Sequence, residues 1–431
     1  MVIMDVTIVN VALPSMAKAL QGSTSWLQWV IDGYTLTFAC LLLSSGNLGD
    51  RIGARSVYLA GLVLFVLTSL LCGLSSDFLQ LTVFRLLQGI GAALLVPASL
   101  SLINSSYENK AERAKAIAIW GAISATGAAL GPILGGMLTF YFGWRSIFFV
   151  NVPIGLIAFF LTRYYVINPA PNGKGHFDLL GQILGVISIA ALAFALIEAG
   201  RWGWFSHPVM TAFFIFIATF IIFLWVELKS TAPMFPLQFF RSRIFSSAIL
   251  VGMVMNMGWY GVMFVLTLYF QHVRHYSVLM TGFAFIPFVG MNAIGAFLGG
   301  KLTNRVGPKW TMLTGLLIGT AGFFSLLIAN EYTPYILLIL PLFATGVGIA
   351  VSMPAATVSI IHSVPAGRVG VASGALNASR QVGSLIGVAI FGTMITLSKY
   401  FIIGMHETLL MGGLLYLCGA IAVLWFPEKG V

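Results

Sequence analysis

Fourteen stretches of this chain, all but the first about twenty residues or longer, run with scarcely a charge, and a lipid bilayer is the environment that suits such segments. They lie near 1–13, 27–48, 57–75, 79–103, 116–140, 146–166, 179–199, 208–227, 245–270, 279–300, 311–329, 334–361, 371–397 and 408–426. Composition agrees: of 431 residues, 59% are hydrophobic and 8% are charged. A soluble domain carries about 25% charged residues to keep its surface wetted. A disordered, collagenous, disulfide-stapled or soluble dinucleotide-binding protein is therefore excluded.

The membrane reading also reassigns the net charge of +10. In a soluble protein that excess would suggest nucleic acid; here it marks cytoplasmic loops. With the N-terminus inside, fifteen of the 22 Lys and Arg residues fall in inside loops and five in outside loops. Arg85 and Arg380 remain within spans. A missed or invented span would scramble that alternation, so fourteen spans with both termini cytoplasmic are expected. Only 13 residues precede Pro14, roughly 20 Å of helix. Span 1 is therefore expected to be truncated, with apolar residues belonging upstream of Met1.

Cys40, Cys72 and Cys418 sit in apolar stretches without CxxC spacing, so no metal site or disulfide framework is signalled. His272 and His275 have HxxH spacing but no further ligands. The chain has no Ser/His/Asp or HExxH grouping and no GxxxxGK[ST], which points away from a hydrolase and an ATP-driven pump. Neither a cofactor nor an enzymatic activity is expected.

Two internal echoes indicate a duplicated half. Gly46 to Arg55 reads GNLGDRIGAR and Gly300 to Lys309 reads GKLTNRVGPK, with Asn304 where the first copy has Asp50. Gly127 to Gly136 reads GAALGPILGG and Gly383 to Gly392 reads GSLIGVAIFG. Two six-helix halves follow, 1–166 and 245–431, with an inserted pair of helices in 167–244.

These motifs, with MDVTIVNVALP at 4–14, WVIDGYTLTF at 29–38, RLLQGIG at 85–91 and WRSIFFVNVPIG at 144–155, resemble the major facilitator superfamily. The resemblance is to its fourteen-helix drug:proton antiporter branch, which includes methylenomycin-type and quaternary-ammonium exporters. It covers essentially the whole chain. It implies an all-α integral membrane fold, residence in a bacterial-type plasma membrane, a monomer, and export of lipophilic compounds in exchange for protons. Two departures stand out: the second-half loop lacks its acid at Asn304, and span 1 starts late. Competing readings are a dedicated exporter of one endogenous metabolite and a non-functional, truncated membrane protein.

Asp5 and Asp32 carry the chemistry in this reading. A charged group at mid-membrane depth costs on the order of 2.5–3.5 kcal/mol, so its presence needs a reason. An acid in oil is neutral when dry and unpaired, and ionised when wet or beside a cation. Arg85, three residues before Gln88, is the expected counter-charge. One proton exchanged for one monovalent cation moves no net charge, whereas two acids could load two protons and draw on the membrane potential.

The stretch from Gly46 to Arg55 is expected as a cytoplasmic loop, with Gly53 turning the chain and Arg51 and Arg55 as inside anchors. The resemblance places Asp50 against the start of span 13, near Gly370, as a gate. Gly127, Gly131, Gly135 and Gly136, with Pro132 among them, form a small-residue stripe expected to seal the halves against proton leak. Tyr34, Gln88, Trp259, Tyr260, Phe264 and Arg380 are the substrate-cavity candidates, the aromatics through apolar and cation–π contact.

Overall fold

The computed structural model of the chain describes residues 1–167, 178–230, 237–365 and 368–425. The helices in order are α1 Val2–Leu20, α2 Thr24–Ile52, α3 Ala54–Leu74, α4 Phe78–Ser106, α5 Lys110–Phe142, α6 Ser146–Phe149, α7 Asn151–Tyr165 and α8 Leu179–Trp202. They continue as α9 His207–Lys229, α10 Arg243–Leu268, α11 Val278–Ala284, α12 Ile286–Val289, α13 Met291–Ser325, α14 Tyr335–His362, α15 Val369–Leu397 and α16 Phe401–Leu424. No strand occurs among the described residues. Helices dominate because oil offers the backbone no hydrogen bonds, so each segment must satisfy its own.

Among the described residues, twelve helical runs are long and apolar enough to cross a membrane. Two places account for the difference from fourteen. The segment expected at 27–48 is helical, as α2, but is not one of the twelve. Those expected at 279–300 and 311–329 fall in one 51-residue run, Val278–Ile328, which is broken at Gly307 by a φ of 85°.

Two sequence-based expectations are corrected. Span 1 does not stop at Pro14: α1 runs 19 residues to Leu20, about 28 Å at 1.5 Å per residue. Pro14 removes one backbone donor, a loss that membrane helices tolerate when neighbours shield the freed carbonyl. The stretch Gly46 to Arg55 is mostly not a loop. Helix α2 continues through Gly46 to Ile52, and the turn is made at Gly53 alone, with φ 94°. Gly307, at the same place in the second copy, has φ 85°. At both sites the backbone enters a region that L side chains rarely adopt, so both copies of the repeat keep glycine there.

The chain divides into two compact units, Met1–Leu192 with Thr211–Met234, and Ala193–Met210 with Phe235–Val431. In the first unit α2 packs on α4, and the polar side chains along that seam reach backbone carbonyls. Thr37 donates to the Leu86 carbonyl at 2.7 Å and Ser45 to that of Ala93 at 2.6 Å. Such bonds hold bundles together where lipid supplies no hydrophobic drive between helices. The glycines of α5 seat it on α1. A Cβ at Gly135 would lie 2.6 Å from the Ile8 carbonyl oxygen, and one at Gly131 would overlap Thr7. Gln182 of α8 docks on α2, donating to the Cys40 carbonyl at 2.8 Å and accepting from Ser44.

The second unit repeats the pattern on itself. Gly383 and Gly387 of α15 leave no room for a Cβ against the Met253 and Met257 carbonyls of α10. Thus both copies of the glycine echo seat a helix on the first helix that lies wholly within its own unit. Tyr416 of α16 donates to the Met255 carbonyl at 2.9 Å, and Thr393 of α15 to that of Leu196 at 2.6 Å.

Candidate functional site

The first unit gathers polar side chains from five helices around one carboxylate, and a sixth adds a backbone carbonyl. Asp5 on α1 is fully buried, and Arg85 on α4 is 1% exposed. The Arg85 Nη1 donates to Asp5 Oδ2 at 2.5 Å, the one salt bridge among the described residues. Gln88, one turn along α4, donates from Nε2 to Asp5 Oδ1 at 3.2 Å while its own Oε1 accepts from Arg85 at 2.8 Å. Asn151, at the start of α7, donates to Asp5 Oδ1 at 2.9 Å and to Ser69 Oγ of α3 at 3.1 Å. Ser69 passes the chain on to the Phe148 carbonyl of α6 at 2.9 Å.

The guanidinium is held from its other sides too. Its Nε donates to the Val30 carbonyl of α2 at 3.0 Å. Its carbon lies 4.3 Å above the Tyr34 ring and 5.9 Å from that of Phe148. Tyr34 donates to the Val2 carbonyl at 3.4 Å, closing the ring back onto α1. A buried ion pair is tenable only when its spare lone pairs and protons are satisfied. Here the carboxylate accepts at both oxygens, from Arg85 at Oδ2 and from Gln88 and Asn151 at Oδ1, and the guanidinium has partners at Nε and Nη1.

Asp32 is the opposite case. It lies two residues before Tyr34 on α2 and is fully buried. Neither of its oxygens has a hydrogen-bond partner among the described residues. An ionised carboxylate in such a place would lack every compensation that Asp5 enjoys, so only the protonated form is tolerable while the site stays dry. A buried acid of this kind can release a proton when water reaches it and regain one as the site dries.

Of the residues singled out in the sequence, the structure brings Asp5, Arg85, Gln88 and Tyr34 into one network and leaves Asp32 outside its hydrogen bonds. Gln88 and Tyr34 are occupied with the ion pair. In the second unit Trp259 is stacked on Phe288, with centroids 4.2 Å apart, and Phe264 is fully buried. Tyr260 and Arg380 are the half-buried members of that set. Gly127 lies near Met4 of α1, and Gly136 and Pro132 are buried within α5. Arg55 donates to the Arg163 carbonyl at the end of α7, while Arg51 is exposed. The Asp50 side chain lies outside the described residues.

Sequence reasoning passed over Asn151, Ser69 and Phe148. Asn151 did carry a signal: one amide inside the apolar run IFFVNVPIG needs a partner at that depth. Ser69 and Phe148 had none, since hydroxyls and rings are common in spans.

A helical membrane protein with an internal repeat and buried charges in its first unit is built as a secondary transporter is built. The model of the Major Facilitator Superfamily matches residues 1–388, and the chain belongs to that family. Its members are normally transporters without enzymatic activity. The chain is 36% identical over 428 residues to the Methylenomycin A resistance protein of Bacillus subtilis, covering 99% of this chain and 91% of that one. It is 35% identical over 402 residues to the Drug efflux pump JefA of Mycobacterium tuberculosis, covering 92% and 78%. To the Tetracenomycin C resistance and export protein of Streptomyces glaucescens it is 32% identical over 395 residues, covering 91% and 73%. Among solved structures, the POT family transporter PepTSo shares the fold at a TM-score of 0.70 and 14% identity, over 100% of this chain and 98% of that one.

Proposed function

We propose that this protein exports lipophilic drugs or antibiotics from the cell in exchange for protons. Relatives named for drug resistance and drug efflux match nearly its whole length, which supports the cargo class. The observation that carries the proton is Asp32, a fully buried carboxyl without a hydrogen-bond partner among the described residues, in the same unit as a well-partnered ion pair. Asp32 takes a proton when its site opens outward and gives it up when the site opens inward. Protonating Asp5 would cancel its attraction for Arg85 and release the guanidinium, giving a second loading step. The small-residue seam of α5 on α1 keeps water away from the helix that carries Asp5.

In this reading the halves 1–166 and 245–431 alternate access to the cargo, with 167–244 as an insert, and the pump works as a monomer. It lies in the plasma membrane with both termini cytoplasmic, as the loop charges favour. Asp50, Arg51 and Arg55 serve the cytoplasmic gate. The test is drug susceptibility and proton-linked dye efflux in an efflux-deficient bacterial host. The chain should confer resistance and uncoupler-sensitive efflux, and Asp32→Asn should abolish both at equal expression. Efflux that survives in Asp32→Asn with its uncoupler sensitivity intact would remove the proposed coupling site.

A further inference from the structure

We infer that Arg380 forms an anion-recognition site in the second unit, and that the cargo carries a carboxylate or comparable anionic group. This deepens the export reading above and rests on it.

Arg380 stands eleven residues into the 29-residue α15, about 16 Å along its axis, well inside the span. A cation at that depth faces protein or a watery cavity rather than lipid tails. Yet it is poorly served by the protein. Its Nη1 donates to Asn377 Oδ1 at 3.2 Å, one turn back on the same helix. Its Nε is buried and has no hydrogen-bond partner among the described residues. A guanidinium offers five N–H donors in a planar fork that matches a carboxylate. Most of that fork is unused.

Among the described residues no acid pairs with it; Glu198, which α8 brings into this unit, sits two residues past Leu196, whose carbonyl meets Thr393, about 20 Å along α15 from Arg380. Between 235 and 425 the chain has two acids, Glu331 and Glu407. Glu331 lies in the turn before α14, and Glu407 accepts from Ser398 at 2.8 Å near the start of α16. The arginine is nonetheless positioned. Its stem packs on α10 at Gly252, where a Cβ would meet the Arg380 Cγ at 3.2 Å. Tyr260, two turns along α10 and half-buried, is close enough to interact with its charge. A held cation with an open fork, an aromatic hydroxyl nearby and no acid paired with it among the described residues is a receptor for an anion supplied from outside. A lipophilic cation would meet like charge there.

The energetics favour such a cargo. When a monoanion leaves as one proton enters, two positive charges in effect move inward. Each is worth on the order of forty-fold accumulation at about 100 mV. A monocation leaving for one proton gains nothing from the potential.

The test is binding to the purified full chain in detergent, followed by tryptophan fluorescence. The probes are 1-naphthaleneacetate, its uncharged amide, and the cation tetraphenylphosphonium. The acid should bind about tenfold or more tightly than the amide. Arg380→Gln should erase that preference, and Arg380→Lys, which keeps the charge but loses the fork, should keep part of it. Gly252→Leu, which displaces the stem without removing charge, should reduce it. The inference is overturned if the acid does not bind, if acid and amide bind alike, if Arg380→Gln keeps the preference, or if tetraphenylphosphonium binds more tightly than the acid. Asp32→Asn separates the two readings. It should leave acid binding intact while pumping fails. Acid binding as expected with no proton-linked efflux by the unaltered chain would sink the export reading and leave this one standing.

Discussion

Each unit carries an arginine within a membrane helix, and the two are treated differently. Arg85 meets a carboxylate, a glutamine, a backbone carbonyl and two aromatic faces. Arg380 has one hydrogen-bond partner for its guanidinium among the described residues, an asparagine of its own helix. The same contrast divides the two acids of the first unit, since Asp5 is held by three side chains and Asp32 by none among the described residues. A satisfied charge fixes architecture, because removing either partner strands the other in oil. An unsatisfied one is open to something that arrives and departs, which we propose is a proton at Asp32 and an anion at Arg380. Identical residue types therefore separate into scaffold and working parts by the company they keep.

That division can be broken by experiment. The largest effect is expected at Asp32: Asp32→Asn should reduce dye accumulation across the membrane from tens-fold to near unity, measured in vesicles with an imposed proton gradient. Its thermal unfolding in detergent should hardly change, because an amide replaces a neutral acid at no cost in charge. A Tm lowered as far as that of an Asp5 variant would make Asp32 structural.

Next comes the network itself. Asp5→Ala leaves Arg85 buried and unpaired and should cost about 3–5 kcal/mol of stability, seen as a large drop in Tm or loss of folded protein. Arg85→Gln should cost about as much, while Arg380→Gln should be close to neutral. The double variant Asp5→Ala with Arg85→Leu should recover much of the loss. Equal sensitivity of Arg85 and Arg380 would erase the contrast drawn above.

Smaller effects sharpen the boundary of the scaffold. Gly135→Val forces side-chain atoms against the Ile8 carbonyl and should cost about 1–3 kcal/mol. It should also raise passive proton leak, measurable with a pH dye in liposomes. Asn151→Ala removes one donor from Asp5 and should cost about 1–2 kcal/mol. Thr37→Val, which only loosens α2 on α4, should cost about 0.6 kcal/mol, the usual size of such bonds in membrane bundles.

Much of the helical pattern could be read from the chain directly. An apolar run of twenty residues admits few structures in lipid, so the spans were visible as hydropathy, and Gly53 and Gly307 marked both copies of the repeat. Helix limits were less legible. Pro14 read as a stop and was passed by α1, and the polar look of Gly46 to Arg55 hid a helix that continues almost to its end. Those limits depend on neighbours that shelter backbone groups, which no local pattern records. Asp5, Asp32 and Arg85 stood out because charge in an apolar run is conspicuous. Which acid holds the arginine did not, since Asp5 and Arg85 are 80 residues apart.

By itself, then, the sequence determined the solvent, the helical class, the duplicated plan and the few polar residues worth attention. These follow from local composition and spacing, because transfer into lipid is scored residue by residue. Only the tertiary structure decided which of those residues are satisfied and which are left open. Hydrogen bonds and ion pairs act within about 3 Å, and the helices that bring such atoms together come from distant parts of the chain.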